Sequence, residues 1–316
     1  MLNRGSYYYK ILAGKKYSSI VQLMNDAKLL ILLVYSIEDE MRLLQKAANE
    51  HVVQTFGWIR WLNYMGIVME YLPVGSLRRV ISKRTDPLTP KVILRMIYDV
   101  AAGLAYMHNL PENLRMVHGD IKPENIMLTK ELRCKLADFG SARMVGLTST
   151  SVTAAPTPKN AGMTLAYAAP EKLKNPNLKI KKEQDTFSFG MVLYTLLARQ
   201  TPFPNAAFEL VYLYSVKEGK RPDTSPINEF RNSLNFSDKQ IVTALELIMT
   251  KCWHQEPEQR PSMVEVRDDL LEILNHQDTR DVLNDVMSAL NELSITAIDL
   301  KKQRCLPLNQ LRLATG

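Results

Sequence analysis

Asp120, Lys122 and Asn125 stand at fixed offsets in the run Val117-His118-Gly119-Asp120-Ile121-Lys122-Pro123-Glu124-Asn125-Ile126-Met127-Leu128. A second acid follows in Leu136-Ala137-Asp138-Phe139-Gly140. An acid, a lysine and an amide, followed by another acid, form the set that phosphoryl transfer needs. Asp120 can orient a hydroxyl and accept its proton. Lys122 can neutralise charge on the moving phosphate, and Asn125 and Asp138 can hold Mg²⁺ through oxygen. Each fragment arises alone by chance, but both at this spacing are specific. The bland alternative, a Pro-containing turn beside a polar strand end, is outweighed by that co-occurrence.

Such a constellation needs a large scaffold. The chain has 316 residues, more than one small core requires, so two lobes or domains are expected. A hydrophobic content of 46% and a charged content of 23% are ordinary for a soluble globular protein. The longest apolar run, Leu29 to Tyr35, is too short to span a membrane and reads as a buried strand. The first residues lack the charged start, apolar middle and small-residue cleavage site of a signal peptide. Cys134, Cys252 and Cys305 are far apart and odd in number, with neither a disulfide framework nor a zinc spacing, so a reducing, cytoplasmic setting is the expectation. The net charge of +7 is dispersed. Short clusters such as Lys179-Ile180-Lys181-Lys182 read as solvated loops, and no aromatic residues interleave with basic ones. Neither nucleic-acid binding nor membrane insertion is expected.

The elements fall in a clear order. Tyr17 to Leu23 and Leu29 to Tyr35 are strand-length apolar runs separated by an Asn25-Asp26 turn signal. Residues 37 to 48 carry Met41, Leu43, Leu44 and Ala47 at helical spacing. His51 to Gly57 and Tyr64 to Tyr71 predict two more strands, before Leu72-Pro73-Val74-Gly75-Ser76-Leu77 breaks the pattern. Helices then dominate. Lys91 to His108 places Ile93, Met96, Ile97, Val100, Leu104 and Met107 along one stripe. Further helices are expected over Ser188 to Arg199, Asp238 to Trp253 and Met263 to Asn275.

With these residues in view, the chain resembles a eukaryotic protein kinase domain of the tyrosine-kinase-like group, similar to the receptor-interacting and interleukin-1-receptor-associated kinases. The match runs from about residue 38 to 275 and is most specific in the C-terminal two thirds. The resemblance implies an α+β bilobal protein kinase fold, with a small β-rich N-lobe over residues 1–71 and a larger helical C-lobe over 72–276. Residues 277–316 form a helical tail outside the match. It also implies ATP and Mg²⁺ as cofactors, bound between the lobes.

Residue roles follow from the resemblance. Met69 is the gatekeeper, and backbone groups of Glu70, Tyr71 and Leu72 bond the adenine edge. Glu40 fits the acid of the regulatory helix, with Glu38 a rival in the same turn. Its partner, the ATP-gripping lysine, is not settled. Ser19-Ile20-Val21-Gln22 aligns with the family's V-A-I-K, which places Gln22 there. Lys28 is the nearest substitute, and Lys10, Lys15 and Lys16 lie upstream. The glycine-rich loop is missing: only Gly5 and Gly14 are present, and Gly14 reads as a hairpin turn. Gly119 replaces the arginine that in the family pairs with an activation-loop phosphate.

The activation loop is expected from Asp138 to Glu171. Its hydroxyl-rich tract contains Thr148, Ser149, Thr150, Ser151, Thr153 and Thr157. Thr164, ahead of Ala169-Pro170-Glu171, matches the family threonine that bridges the catalytic acid and lysine, here Asp120 and Lys122. Lys122 two residues after Asp120 favours Ser/Thr specificity. Glu171 with Arg260 resembles the buried ion pair of the large lobe, and Asp185 the acid that braces the catalytic loop. In the tail, Leu283, Val286, Leu290 and Leu293 follow 3-4-3 spacing. The bland reading is a helix packed on the large lobe; the sharper one is a site for a signalling adaptor. The functional expectation is a protein serine/threonine kinase acting on protein substrates in signal transduction. The alternative is a pseudokinase that binds nucleotide or serves as a scaffold.

Overall fold

The computed structural model describes residues 48–61, 64–82, 88–111, 115–139, 142–144, 165–204, 210–211, 213–293 and 313–314. Small antiparallel sheets are followed by a large helical assembly, the order expected of a small β-rich lobe and a larger helical one.

Strand β1 (Thr55–Trp61) pairs antiparallel with β2 (Tyr64–Met69), Thr55 opposite Met69 and Trp61 opposite Tyr64. The expected strand from His51 begins later, at Thr55. Residues ahead of it are used otherwise: Val52 makes a single parallel bridge to Leu136. A second sheet joins β3 (Gly75–Ser76), β5 (Ile126–Leu128) and β6 (Cys134–Leu136) in the order β3-β5-β6. Between them in sequence, β4 (Met116–Val117) pairs with β7 (Arg143–Met144). The short helix α1 (Leu77–Ile81) follows β3 directly.

Helix α2 (Pro90–His108) is the long amphipathic one. Thr89 caps it by accepting a hydrogen bond from the Val92 N–H, and Pro90 starts it at a position where a missing N–H costs nothing. Its stripe of Ile93, Met96, Ile97, Val100, Leu104 and Met107 is buried throughout. At Gly103 a Cβ would sit 3.0 Å from Leu136 Cδ1 and 3.2 Å from the His51 carbonyl, so only glycine lets β6 and the 48–54 loop approach the helix this closely.

Helix α3 (Pro170–Lys174) leads to α4 (Lys182–Ala198), the axis of the helical lobe. Helix α4 starts six residues earlier than the sequence suggests. It is buried nearly all round, Gln184, Asp185 and Thr186 included, so it shows no one-sided apolar stripe to mark its start. Helices α5 (Ser225–Asn232) and α6 (Phe236–Cys252) follow. At Gly190 a Cβ would lie 3.1 Å from Cys252 Cβ, which fixes how tightly α6 packs on α4. Helix α7 (Met263–Asn275) opens on a full capping box between Ser262 and Glu265.

The tail contributes α8 (Thr279–Glu292), capped by Asp278. Of the expected seam of Leu283, Val286, Leu290 and Leu293, Val286 and Leu293 are buried, but Leu283 is 51% exposed and Leu290 only partly covered, and Val282 and Ala289 complete the buried face instead. Polar contacts accompany that rotation. Thr89 Oγ1 donates to Asp285 at 2.6 Å, and Lys91 lies 3.4 Å from Asp281. The small Ala289 then faces the lobe. The expected helical tail also ends differently, because β8 (Leu313–Ala314) pairs with Trp58 and Ile59 of β1. Among the described residues, no helix is long and apolar enough to cross a membrane.

Candidate active site

Three side chains gather where β4 ends and β5 begins. Strand β4 delivers Val117, after which His118, Gly119 and Asp120 leave the sheet. Pro123–Asn125 form one 3₁₀ turn before β5. That turn brings Asn125 back over Asp120, and its amide donates to the Asp120 carbonyl at 2.8 Å and to carboxylate Oδ2 at 3.0 Å. Lys122 Nζ lies 2.6 Å from the same oxygen. Asp120 and Lys122 are both partly exposed, whereas Asn125 is buried.

The second acid arrives from β6. The Ala137 N–H donates to the Asn125 carbonyl at 2.9 Å, so the chain carrying Asp138 is stitched to the chain carrying Asn125. Asp138 is exposed with φ +64°, a left-handed conformation that costs a non-glycine residue roughly 1–2 kcal/mol. Strain of this kind persists where surrounding structure imposes it, and it clusters at functional sites. The imposing contacts are visible. Phe139 is buried beneath His118, with ring centroids 5.0 Å apart, and His118 Nε2 lies 3.2 Å from the Ala137 carbonyl.

One buried carboxylate holds the catalytic loop from below. Asp185, in the first turn of α4, accepts from the His118 N–H and the Gly119 N–H at 2.8 Å each, and pairs with His108 Nε2 at 2.8 Å. Burial pushes the Asp185 carboxyl up. The hydrogen bond and charge of His108, the charge of His118 and the Gly119 N–H outweigh it, so the group is held below the usual carboxylate range. Gly119 has φ +77°, which suits a residue without a side chain. Arg260 donates to both carboxylate oxygens of Glu171, at 2.8 and 2.9 Å, as the sequence pattern suggests.

The chain from β2 to β3 passes Met69, Glu70, Tyr71 and Leu72, and Met69 and Leu72 are buried. The Glu70 N–H donates to the Gln54 carbonyl at 2.9 Å, and Leu72 O accepts from Gly75 at 3.1 Å. The Glu70 carbonyl and the Leu72 N–H make no hydrogen bond among the described residues. An acceptor and a donor two residues apart are what the edge of an adenine ring requires.

Gln22, Lys28 and Glu40 lie outside the described residues, as do Thr164, the Thr148 to Thr157 tract and the expected strands and helix before residue 48. The structure therefore brings together Asp120, Lys122, Asn125 and Asp138 on one side and Met69 to Leu72 on the other.

Several contributors escaped the sequence reading. Asp99, fully buried on α2, takes a bidentate pair from Arg133 and also accepts from the Cys134 N–H at 2.9 Å. It stands 3.5 Å from His51 Nδ1. Its partners lie far away in sequence, so only the polar residue inside an apolar helix face could have drawn notice. Lys135 binds Glu70, and His108 binds Asp185. Neither pair has a local signature.

A model of the protein kinase domain matches residues 9–294. Receptor-interacting serine/threonine-protein kinase 2 of Bos taurus is 32% identical over 232 residues, covering 71% of this chain and 41% of that protein. Receptor-interacting serine/threonine-protein kinase 1 of Homo sapiens is 29% identical over 283 residues, covering 86% and 39% respectively. Serine/threonine-protein kinase 12 of Arabidopsis thaliana is 28% identical over 243 residues, covering 77% and 49%. The chain thus spans two fifths to a half of the length of these relatives.

Proposed function

The chain belongs to the protein kinase family, and on that premise we propose that it transfers a phosphoryl group from ATP to serine or threonine hydroxyls of protein substrates. The observation that carries this reading is the convergence on one oxygen. Asp120 Oδ2 receives both Lys122 Nζ and the Asn125 amide, while its carboxylate stays partly open to solvent.

Protein kinases as a family use ATP and Mg²⁺. The residues here fit that pair. Both Asn125 amide contacts go to Asp120, which leaves its side-chain oxygen as the acceptor for a cation. Asp138 offers an exposed carboxylate nearby in the chain. Among the described residues, no group of three or more His, Cys, Asp or Glu side chains is placed to hold a metal alone. One carboxylate and one amide suit Mg²⁺, which keeps waters and shares phosphate oxygens. Bound there, Mg²⁺ supplies charge neutralisation for the phosphates.

The protein groups then do the positioning. The Glu70 carbonyl and the Leu72 N–H hold the adenine edge, with Met69 behind it. Asp120 orients the substrate hydroxyl and takes its proton. Lys122, already beside Asp120, balances charge on the transferring group, and Thr164 joins these two. Such positioning and charge stabilisation make up most of this chemistry. Residues 1–71 act as the N-lobe and 72–276 as the C-lobe, with 277–316 as a tail that meets a signalling adaptor. A cytoplasmic setting fits the three dispersed cysteines, Cys134 and Cys252 of which are buried as free thiols.

A second reading has two sequence features in its favour. The alignment of Gln22 with the lysine position and the missing glycine-rich loop weaken the phosphate grip, as a pseudokinase scaffold would tolerate. A phosphotransfer assay with Mg-ATP, run beside Asp120→Asn, separates the two. Transfer by the parent chain and none by the variant supports the enzyme; no transfer by either, with nucleotide still bound, supports the scaffold.

A further inference from the structure

The first residue after β2 is tied to β6 by a side-chain contact that the catalytic reading leaves without a role. Lys135 Nζ lies 2.6 Å from Glu70 Oε1. The two side chains are 17% and 22% exposed, so this is not an ordinary surface pair. The same Glu70 oxygen also accepts the Gln54 N–H at 2.7 Å, and the Glu70 N–H returns to the Gln54 carbonyl at 2.9 Å.

These contacts close a ring. Glu70 binds Gln54 twice. Gln54 is bonded to Val53, whose N–H donates to the Leu136 carbonyl at 2.9 Å. Leu136 is bonded to Lys135, which returns to Glu70. The Leu136 N–H holds the ring from its other side through the His51 carbonyl at 2.8 Å. One arm of the ring is the segment proposed to hold adenine. The other is the strand that reaches Asp138 two residues later. The Lys135–Glu70 pair is the link of this ring made by two side chains, and a charge-assisted bond is stronger than a neutral one.

We propose that the Lys135–Glu70 pair is a positioning element that couples the adenine-binding segment to the strand bearing the metal acid. This rests on the nucleotide site of the proposed function. Without the pair, the Glu70 carboxylate loses its cation while half buried. The backbone at Glu70 to Leu72 is then free to turn, and β6 loses its hold on that segment. Neither side chain touches the reacting atoms, so both are positioning residues.

The test is adenosine binding, measured calorimetrically on the full chain. Adenosine has no phosphates and recruits no metal, so its affinity reports the adenine segment alone. Lys135→Met is expected to weaken adenosine binding about tenfold, the equivalent of ~1.4 kcal/mol, and to raise the Mg²⁺ concentration needed for half-saturation by Mg-ATP. Lys135→Arg should keep parent affinity. Joining Lys135→Glu to Glu70→Lys should recover part of what either loses alone. If Lys135→Met does not fold, Glu70→Gln opens the same ring and gives the same readout. A fall in Tm with unchanged adenosine affinity would mean a merely structural pair and overturns the proposal while leaving the kinase reading intact. A parent chain that binds no adenosine overturns both. A parent that binds adenosine but transfers no phosphate removes only the enzyme reading, and the affinities of the variants still decide the coupling.

Discussion

Asn125 reaches back five residues to hold Asp120 at two points, its amide 2.8 Å from the carbonyl and 3.0 Å from the carboxylate. The proposed metal ligand is therefore also the clamp on the proposed base. Removing the Asn125 amide releases the Asp120 carboxylate, whereas Asp120→Asn keeps the backbone carbonyl that holds Asn125. Asp138 is exposed and arrives from β6 rather than from the turn that carries Asn125.

Asp138→Asn should weaken Mg-ATP binding, whereas Asp120→Asn should leave it nearly intact and cut turnover. Loss of a general base typically costs ~10²–10⁴-fold. Nucleotide affinity and single-turnover rate for both variants check this. Equal loss of affinity in the two would refute the assignment of roles.

The phosphate lysine is decided by a pair of substitutions. If Gln22 holds that position, Gln22→Lys restores a cation beside concentrated negative charge, so Mg-ATP binds more tightly and transfer rises. Lys28→Met then does little. If Lys28 is the phosphate lysine, the outcomes reverse: Lys28→Met abolishes activity and Gln22→Lys is nearly silent. Affinity and turnover for both variants distinguish the alignments.

Stability should fall with acid through His51. Burial lowers its pKa below 6.5, outweighing the Asp99 and Glu50 carboxylates that raise it; Arg133 and Lys135 lower it further. Its ring also faces Tyr98. A base with a depressed folded pKa stays neutral in the fold while the unfolded chain takes up a proton. Its contribution is complete above about pH 6.5 and is lost as pH falls through the lower folded value. Denaturant midpoints should therefore decline from pH 7 towards pH 5, and His51→Gln should flatten that slope. An unchanged slope would place the titration elsewhere.

The rotation of α8 makes a sharp contrast between two leucines. Leu293 is 1% exposed, so Leu293→Ala should cost about 2–5 kcal/mol. Leu283 faces solvent, so Leu283→Ala should stay within about 0.5 kcal/mol. Urea midpoints of the two variants report the difference. Comparable costs at both positions would support the seam read from sequence spacing.

Gly119 predicts independence from loop phosphorylation. It has no cation to grip a phosphate, and its N–H already serves Asp185. Phosphatase treatment should leave the phosphotransfer rate of active protein within a few-fold. A fall of ~10²-fold, the size of losing a positioned stabilising contact, would show that another cation has taken over.

The sequence by itself determined the family, the bilobal architecture and the local chemistry. Asp120, Lys122 and Asn125 lie within six residues, and such short spacings survive any folding. The stripe of α2 was legible because its polar and half-buried positions, Lys91, Arg95, Tyr98 and Tyr106, fall along one line opposite the apolar one, although most of the helix is buried. The start of α4 was not, because a helix buried on all sides carries no periodic signal. The face of α8 was half legible: Val286 and Leu293 are buried as read, but 3-4-3 spacing fixes a stripe only to within a residue, and the contacts of Thr89 and Lys91 accompany a rotation that buries Val282 and Ala289 in place of Leu283 and Leu290. Tertiary structure alone decided the long-range pairs: Lys135 with Glu70, Arg133 with Asp99, and His108 with Asp185. A charged side chain in a sequence shows its need for a partner but not which one. Only the chain's path through space brings together two residues dozens of positions apart.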